Sequence, residues 1–289
     1  MTLAEHVAAG AARLGASGLP PAEVGADAAV LARHVLGWDP AAYLCRSREP
    51  APAAFGNRYA AALDRRARRE PVSTIIGQRE FRGLGFEVGP AVLTPRPETE
   101  LLVDETLRLA RNGDGGVRTI VDAGTGSGCV GVALATELPA ARIIATDISA
   151  AALAIARRNA IRHGVRDRIA WVRTSWLDGV SGAPDVIVAN PPYVRDGDLA
   201  GLPPEVRGFE PRTALAGGPD GLDAIRALLR TAAERLPAGG HLVMEVGAGQ
   251  MAAVRAAARR HRRLSVAGVR RDLRAVSYTH LTLTTKRIV

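Results

Sequence analysis

The chain has 289 residues, 47% of them hydrophobic, and a net charge of +9, enough for one large domain or two smaller ones of ordinary globular composition. No apolar run is long enough to span a bilayer, and the N-terminus lacks a charged segment followed by an apolar core, so the cytoplasm is the expected location. Cys45 and Cys129 belong to no CxxC pair and the six histidines show no ligand spacing, which sets aside a disulfide framework and a zinc site.

The first 72 residues read as helices. Thr2 and Glu5 form a capping-box pattern, with Leu3, Val7, Ala11 and Leu14 at helical spacing behind it. Pro20-Pro21 opens a second helix, a short one follows Pro40, and a fourth runs from about Ala53 to Arg69. This domain is either plain scaffold or a docking surface for a macromolecular substrate; with no catalytic cluster in it, docking is favoured. Residues 73–93 carry glycines between short β-like runs and read as a linking hairpin. The second domain, 94–275, starts with a helix after Pro95 and Pro97.

Strands and helices then alternate. Strands are expected at Thr119–Val121, Arg142–Ala145, Ile169–Arg173, Val186–Ala189 and His241–Val246, with helices between them. That alternation implies an α/β fold, a mostly parallel doubly wound sheet with helices on both faces.

Every basic residue except Lys286 is arginine. The positive charge fits either arginine drift in composition or attraction to nucleic acid. Clusters at 65–69 and 259–263 read as solvated helix faces or ends, so charge alone does not choose. Lys286 lies in the threonine-rich stretch 276–289, VSYTHLTLTTKRIV, whose composition is foreign to the rest of the chain. It resembles translated adapter read-through and is set apart as a non-native tail, with enough β propensity to fill a strand position.

Two motifs carry chemistry. In VDAGTGSGCVGVAL, Gly124, Gly126 and Gly128 let the backbone turn tightly and approach a ligand, with Thr125 and Ser127 between them. Asp147 ends the next strand, about 20 residues on, where an acid bonds ribose hydroxyls. The G-x-G-x-G spacing after Asp122 favours the S-adenosylmethionine (SAM) version of this loop, the class I methyltransferase fold.

The second motif is Asn190-Pro191-Pro192-Tyr193, which ends a β-branched run abruptly. Prolines cannot continue a central strand. In a doubly wound sheet, ligands bind outside the carboxyl ends of the strands, so this stop falls beside the cofactor loop. The Asn190 carbonyl and a backbone carbonyl of the Pro-Pro segment can each accept one N–H of a planar NH₂ group. Pro191 and Pro192 offer no competing donor, and Tyr193 offers a face for stacking. The expected chemistry is therefore methylation of an amide or ring-conjugated amine.

The motifs together resemble the release factor glutamine methyltransferase family, the HemK/PrmC group. The resemblance rests on LTPRPETELLV (93–103), VDAGTGSGCVGVALA, ATDIS (145–149), NPPY, FEPRTALAGGPDGLD (209–223) and GGHLVMEVG (239–247). It implies methylation of the glutamine side-chain nitrogen (N5) in the Gly-Gly-Gln motif of peptide chain release factors. It carries cofactor contacts over to residues 124–128, Asp147, Trp176 and Asn190, and substrate recognition to residues 190–193. Trp176 lies either against the adenine or in the core. Arg96, Glu98 and Glu100 either order the site's entrance or, for the acids, favour a helix start. Glu210 and Arg212 are expected to pair on the far wall. A monomer is expected, with no membrane association and no required nucleic-acid contact. The alternatives are a nucleic-acid amino methyltransferase acting on adenine N6 or guanine N2, and a docking protein without catalysis. No separate target-recognition domain is visible for the first, and the intact NPPY weighs against the second.

Overall fold

The N-terminal helices begin where the sequence supplies caps. In the computed structural model, which describes residues 1–112, 118–271 and 278–286, α1 (Leu3–Ala16) opens on a complete capping box: Glu5 N–H donates to Thr2 Oγ1, and Thr2 N–H to the Glu5 carboxylate. Helix α2 (Pro21–Leu36) starts on a proline and stops at Gly37 in the left-handed region, and α3 (Pro40–Arg46) is capped by the Asp39 side chain. Helix α4 (Phe55–Ala67) and the short α5 (Val72–Ile76) complete the group, which closes around Leu3, Leu14, Leu31, Phe55, Tyr59 and Leu63.

Helix α5 differs from expectation. The β-branched residues of Val-Ser-Thr-Ile-Ile suggested the start of a hairpin, but Pro71 opens a turn of helix, Ile75 is buried and Gly77 ends it. Local propensity yields here to burial.

Residues Met1–Gln78 form one compact unit together with Pro203–Phe209. Arg66 of α4, only 3% exposed, joins them: its guanidinium donates to Asp27 Oδ2 (2.6 Å), Glu205 Oε1 (3.0 Å) and Glu23 Oε2 (3.2 Å). A cation this deep needs several acceptors, and these carboxylates supply them.

The second unit comprises Arg79–Leu202 and Glu210–Val289. After the paired strands β1 (Gln78–Phe81) and β2 (Leu84–Glu87) come α6 (Glu100–Asn112), β3 (Thr119–Ala123), α7 (Cys129–Glu137), β4 (Arg142–Asp147), α8 (Ala150–Arg162), β5 (Ile169–Arg173) and β6 (Val186–Ala189); the chain then gives α9 (Pro204–Phe209) to the first unit and continues in the second with α10 (Asp223–Arg235), β7 (His241–Gly247), α11 (Met251–Arg259), β8 (Leu264–Arg271) and β9 (Tyr278–Thr285). The sheet runs β5-β4-β3-β6-β7-β9-β8, parallel except for β9, which is antiparallel to both of its neighbours.

Alternate strand residues go to opposite faces, and both faces are covered. Ile120, Ile143, Val186, Val188 and Val243 pack with α6 and α7 residues, while Val121, Ile144, Ile187, Leu242 and Met244 pack with those of α10 and α11. Two-sided burial is why these strands read as continuous apolar runs rather than alternating ones. Each fully buried Ile, Val or Leu contributes about 1.5–3 kcal/mol.

The threonine-rich tail supplies β9. It pairs along all of β7, from His241 opposite Thr284 to Gly247 opposite Tyr278, and buries Leu281 and Leu283. Residues 276, 277 and 287–289 of that tail lie outside the described residues.

Candidate active site

Strand order places the two motifs. The chain order reverses between β3 and β6, which are parallel neighbours in register from Ile120–Val186 to Asp122–Val188. Their carboxyl ends therefore leave the same edge of the sheet. The glycine loop follows β3 and Asn190 follows β6, at the switch point where doubly wound sheets bind ligands.

The loop is held by its own acid. Asp122 Oδ2 accepts from Thr125 Oγ1 (2.5 Å) and from Gly131 N–H (2.9 Å), tying the start of the loop to the first turn of α7. Burial pushes the Asp122 carboxyl up to about 6, against those two hydrogen bonds and with help from the Asp147 charge. Gly124 and Thr125 N–H donate to Thr146 O, docking the loop on the end of β4.

The three loop glycines have φ of 75°, 54° and 81°, a region that favours glycine. At Gly128 the constraint is doubled, since a Cβ there would stand 2.9 Å from Ala156 Cβ of α8. Gly131 is another close approach, its missing Cβ lying 2.9 Å from Asp122 Oδ2. On the same helix Cys129 is buried, which pushes its thiol up to about 12 and keeps it protonated. Asn159 of α8, fully buried, donates to Ser127 O (2.8 Å) and Glu87 O (3.0 Å) and fixes the loop from behind.

Asp147 is aimed by two backbone donors: Gly126 N–H reaches Oδ2 (3.0 Å) and Ser149 N–H reaches Oδ1 (2.8 Å). Each oxygen keeps a lone pair for a ligand hydroxyl. Trp176 has φ of 49°, a left-handed conformation costing an ordinary residue about 1–2 kcal/mol. That turn brings its ring edge within 3.5 Å of where a Gly124 Cβ would stand.

Gly124, Thr125, Gly126, Ser127, Asp147, Trp176, Asn190 and Pro192 line one cavity of about 320 Å³, in the range of small-molecule sites. Gly128, Pro191 and Tyr193 are not among its lining residues. Gly128 instead packs α7 on α8, Pro191 is buried, and the Tyr193 hydroxyl donates to Glu245 Oε1 at 3.0 Å. Arg96 does line the cavity, whereas Glu98 and Glu100 do not; Glu100 accepts from Arg82 N–H.

The expected pairing of Glu210 with Arg212 is not what forms. Glu210 takes the Arg96 Nη2 donor at 2.7 Å on both oxygens, and Arg212 lies exposed. Burial of Glu210 raises its carboxyl above the ordinary range, and the Arg96 charge opposes that rise. The partner is 114 residues away, out of reach of local patterning.

Thr99 and Glu245 were not foreseen. Asn190 Nδ2 donates to Thr99 Oγ1 (3.1 Å), which donates to Glu245 Oε2 (3.1 Å). The signal available for Glu245 was an acid inside the apolar strand HLVMEVG, an unusual place for an unpaired charge.

The residues suit a nucleoside-bearing cofactor such as SAM: a glycine backbone open at Gly126, an oriented carboxylate at Asp147 and an aromatic ring at Trp176, all on one cavity. Among the described residues no cluster of His, Cys, Asp or Glu suits a metal ion, and no helix is long and apolar enough to cross a membrane.

The chain is similar to known proteins over most of its length. Residues 5–77 match the family model of the PrmC N-terminal domain, and residues 98–201 that of the methyltransferase small domain. The chain is 42% identical over 254 residues to the release factor glutamine methyltransferase of Cereibacter sphaeroides, covering 88% of each. It is 43% identical over 267 residues to that of Moorella thermoacetica, covering 90% of each. It is similar in fold alone to a T. thermophilus 16S rRNA N2 methyltransferase solved with AdoMet and guanosine, at 17% identity and a TM-score of 0.50, covering 73% of this chain and 50% of that one.

Proposed function

Because the chain belongs to the release factor glutamine methyltransferase family, we propose that its cavity is where a methyl group passes from SAM to the side-chain amide nitrogen of a release-factor glutamine. The glutamine is the one in the Gly-Gly-Gln motif. The observation that carries the assignment to this cavity is that Asn190 and the glycine loop line the same space.

SAM supplies an activated, electrophilic methyl group when bound. The chain's own residues bind and aim. Asp147 receives the ribose hydroxyls with lone pairs left free by Gly126 and Ser149 N–H. Trp176 gives the adenine a flat neighbour, and the open backbone at Gly126 leaves room for the rest.

On the substrate side the difficulty is electronic. An amide nitrogen is a poor nucleophile because its lone pair is delocalised into the carbonyl. Asn190 Oδ1 accepts one N–H of the glutamine NH₂, and a backbone carbonyl of the Pro191-Pro192 segment accepts the other. Held from both sides, the nitrogen turns lone-pair density toward the methyl carbon as it pyramidalises. The prolines keep the backbone acceptor rigid and bring no N–H of their own. Orientation of this kind lowers a barrier by up to about 7–11 kcal/mol, so no strong base is required in the site. The nitrogen sheds a proton to solvent once the new N–C bond has formed.

The helical unit, about residues 1–72, is assigned to docking of the release factor. Every group assigned lies on one chain, so the reading asks for no second copy. An activity on release factors belongs in the cytoplasm, where translation ends.

The test is acceptor choice. Purified protein with methyl-labelled SAM is offered release factor, ribosomal RNA and DNA separately. Label on release factor is the expected result; label on DNA or RNA alone overturns the assignment in favour of a nucleic-acid amino methyltransferase.

A further inference from the structure

Asn190 serves as an acceptor only if its oxygen, not its nitrogen, faces the substrate. The two ends of a side-chain amide have nearly the same shape, so packing does not choose between them. The hydrogen-bond network beneath the site does.

Asn190 Nδ2 is 3.1 Å from Thr99 Oγ1, and Thr99 Oγ1 is 3.1 Å from Glu245 Oε2. The other Glu245 oxygen receives the Tyr193 hydroxyl at 3.0 Å. Thr99 is 3% exposed and Glu245 1%, so both lie beneath the surface, Thr99 at the cavity wall. His280 Nε2 stands 3.6 Å from Glu245 Oε2.

Counting protons fixes the direction. Thr99 Oγ1 donates to Glu245 Oε2, and a hydroxyl has a single proton, so that proton is spent there. Thr99 then has only lone pairs to offer Asn190 and must meet an N–H. The reversed amide would set Asn190 Oδ1 against a hydroxyl oxygen with no proton to give, leaving two buried acceptors face to face. Asn190 Oδ1 has no partner among the described residues, and Asn190 lines the cavity.

We propose that Thr99 and Glu245 are positioning residues for the methyl transfer: through one hydroxyl they lock the Asn190 amide with its oxygen toward the substrate nitrogen. The same carboxylate anchors Tyr193, so one buried acid sets both ends of the NPPY turn. The inference rests on the proposed function, because it matters for catalysis only if Asn190 accepts a substrate N–H.

The test uses Thr99→Val, Thr99→Ser and Glu245→Gln in the full chain, with two readouts. The first is solvent exchange of the Asn190 side-chain NH₂, seen by ¹⁵N NMR and assigned by its disappearance in Asn190→Asp. Thr99→Val and Glu245→Gln should speed this exchange about tenfold or more, and Thr99→Ser should leave it slow. The second is methylation of release factor. Thr99→Val and Glu245→Gln should lower kcat about 10- to 100-fold with KM nearly unchanged, and Thr99→Ser should restore kcat.

Unchanged exchange in Thr99→Val overturns the proposal, as does a fall in kcat that serine does not rescue. Should Thr99→Val fail to fold, Glu245→Gln decides by the same two readouts. If the wild type methylates no release factor yet its Asn190 NH₂ exchanges slowly through Thr99, the substrate assignment fails and the amide lock stands.

Discussion

Replacing Asp122 by asparagine should stabilise the protein at neutral pH and flatten its stability profile on the acid side. Asp122 is fully enclosed, and burial lifts its carboxyl from the ordinary 3.8 to about 6. Between those two values the folded chain binds the proton and the unfolded chain does not. Stability contributed by this group therefore falls as pH rises through about 4 to 6, and the full cost is in place above that window. A displacement of about two units corresponds to about 3 kcal/mol at pH 7. Both hydrogen bonds to the side chain, from Thr125 and from Gly131, land on Oδ2. The carbonyl oxygen of asparagine can accept both, so the substitution removes the charge and keeps the loop's tie. After the cost of burying the new NH₂, a net gain of about 1–3 kcal/mol at pH 7 is expected, shrinking toward zero near pH 4. Urea unfolding of both proteins across that range gives the difference curve, in which other carboxylates cancel. A flat difference, or an asparagine variant less stable at neutral pH, refutes the reasoning.

Gly128→Ala should cost about 2–4 kcal/mol, from the left-handed backbone and from contact with Ala156, whereas Gly126→Ala should cost only about 1–2 because nothing stands within 4 Å; equal losses in urea unfolding would contradict the packing role given to Gly128. Arg66→Met leaves Asp27 and Glu205 without their shared cation and should destabilise by about 3–5 kcal/mol, read by thermal unfolding. Asp147→Ala should weaken SAM binding markedly by calorimetry; unchanged affinity would place the ribose contact elsewhere. Asn190→Ala should remove most turnover, about 100-fold or more, while SAM still binds in part, and near-normal turnover would count against the acceptor role.

The parts of the fold legible in the sequence are those fixed by local stereochemistry. Prolines and side-chain caps marked the N-terminal helices, and the glycines of the loop announced positive φ. Asn190-Pro191-Pro192 announced the end of a strand, because prolines cannot extend one. The order of loop, acid and NPPY then placed all three at one sheet edge. Strand β8 was not foreseen because its apolar alternation breaks at a bulge between Val266 and Gly268 and because it follows the arginine run 259–263. The place of β9 between β7 and β8 depends on pairing across the sheet, which propensity does not encode. The same holds for Arg96 with Glu210, for Glu205 with Arg66 and for Thr99 beneath Asn190, each pair made by chain segments about a hundred residues apart. Glu245 was the exception that could have been found, since an acid in the middle of a buried strand demands partners.

The most direct measurement is a crystal structure of the chain with S-adenosylhomocysteine and a glutamine-containing release-factor peptide. The account predicts the sulfur over the glycine loop, and the glutamine NH₂ within hydrogen-bond distance of Asn190 Oδ1 and of a carbonyl in the Pro191-Pro192 segment. A glutamine nitrogen held by other groups, or a ligand bound away from residues 124–127, would contradict it.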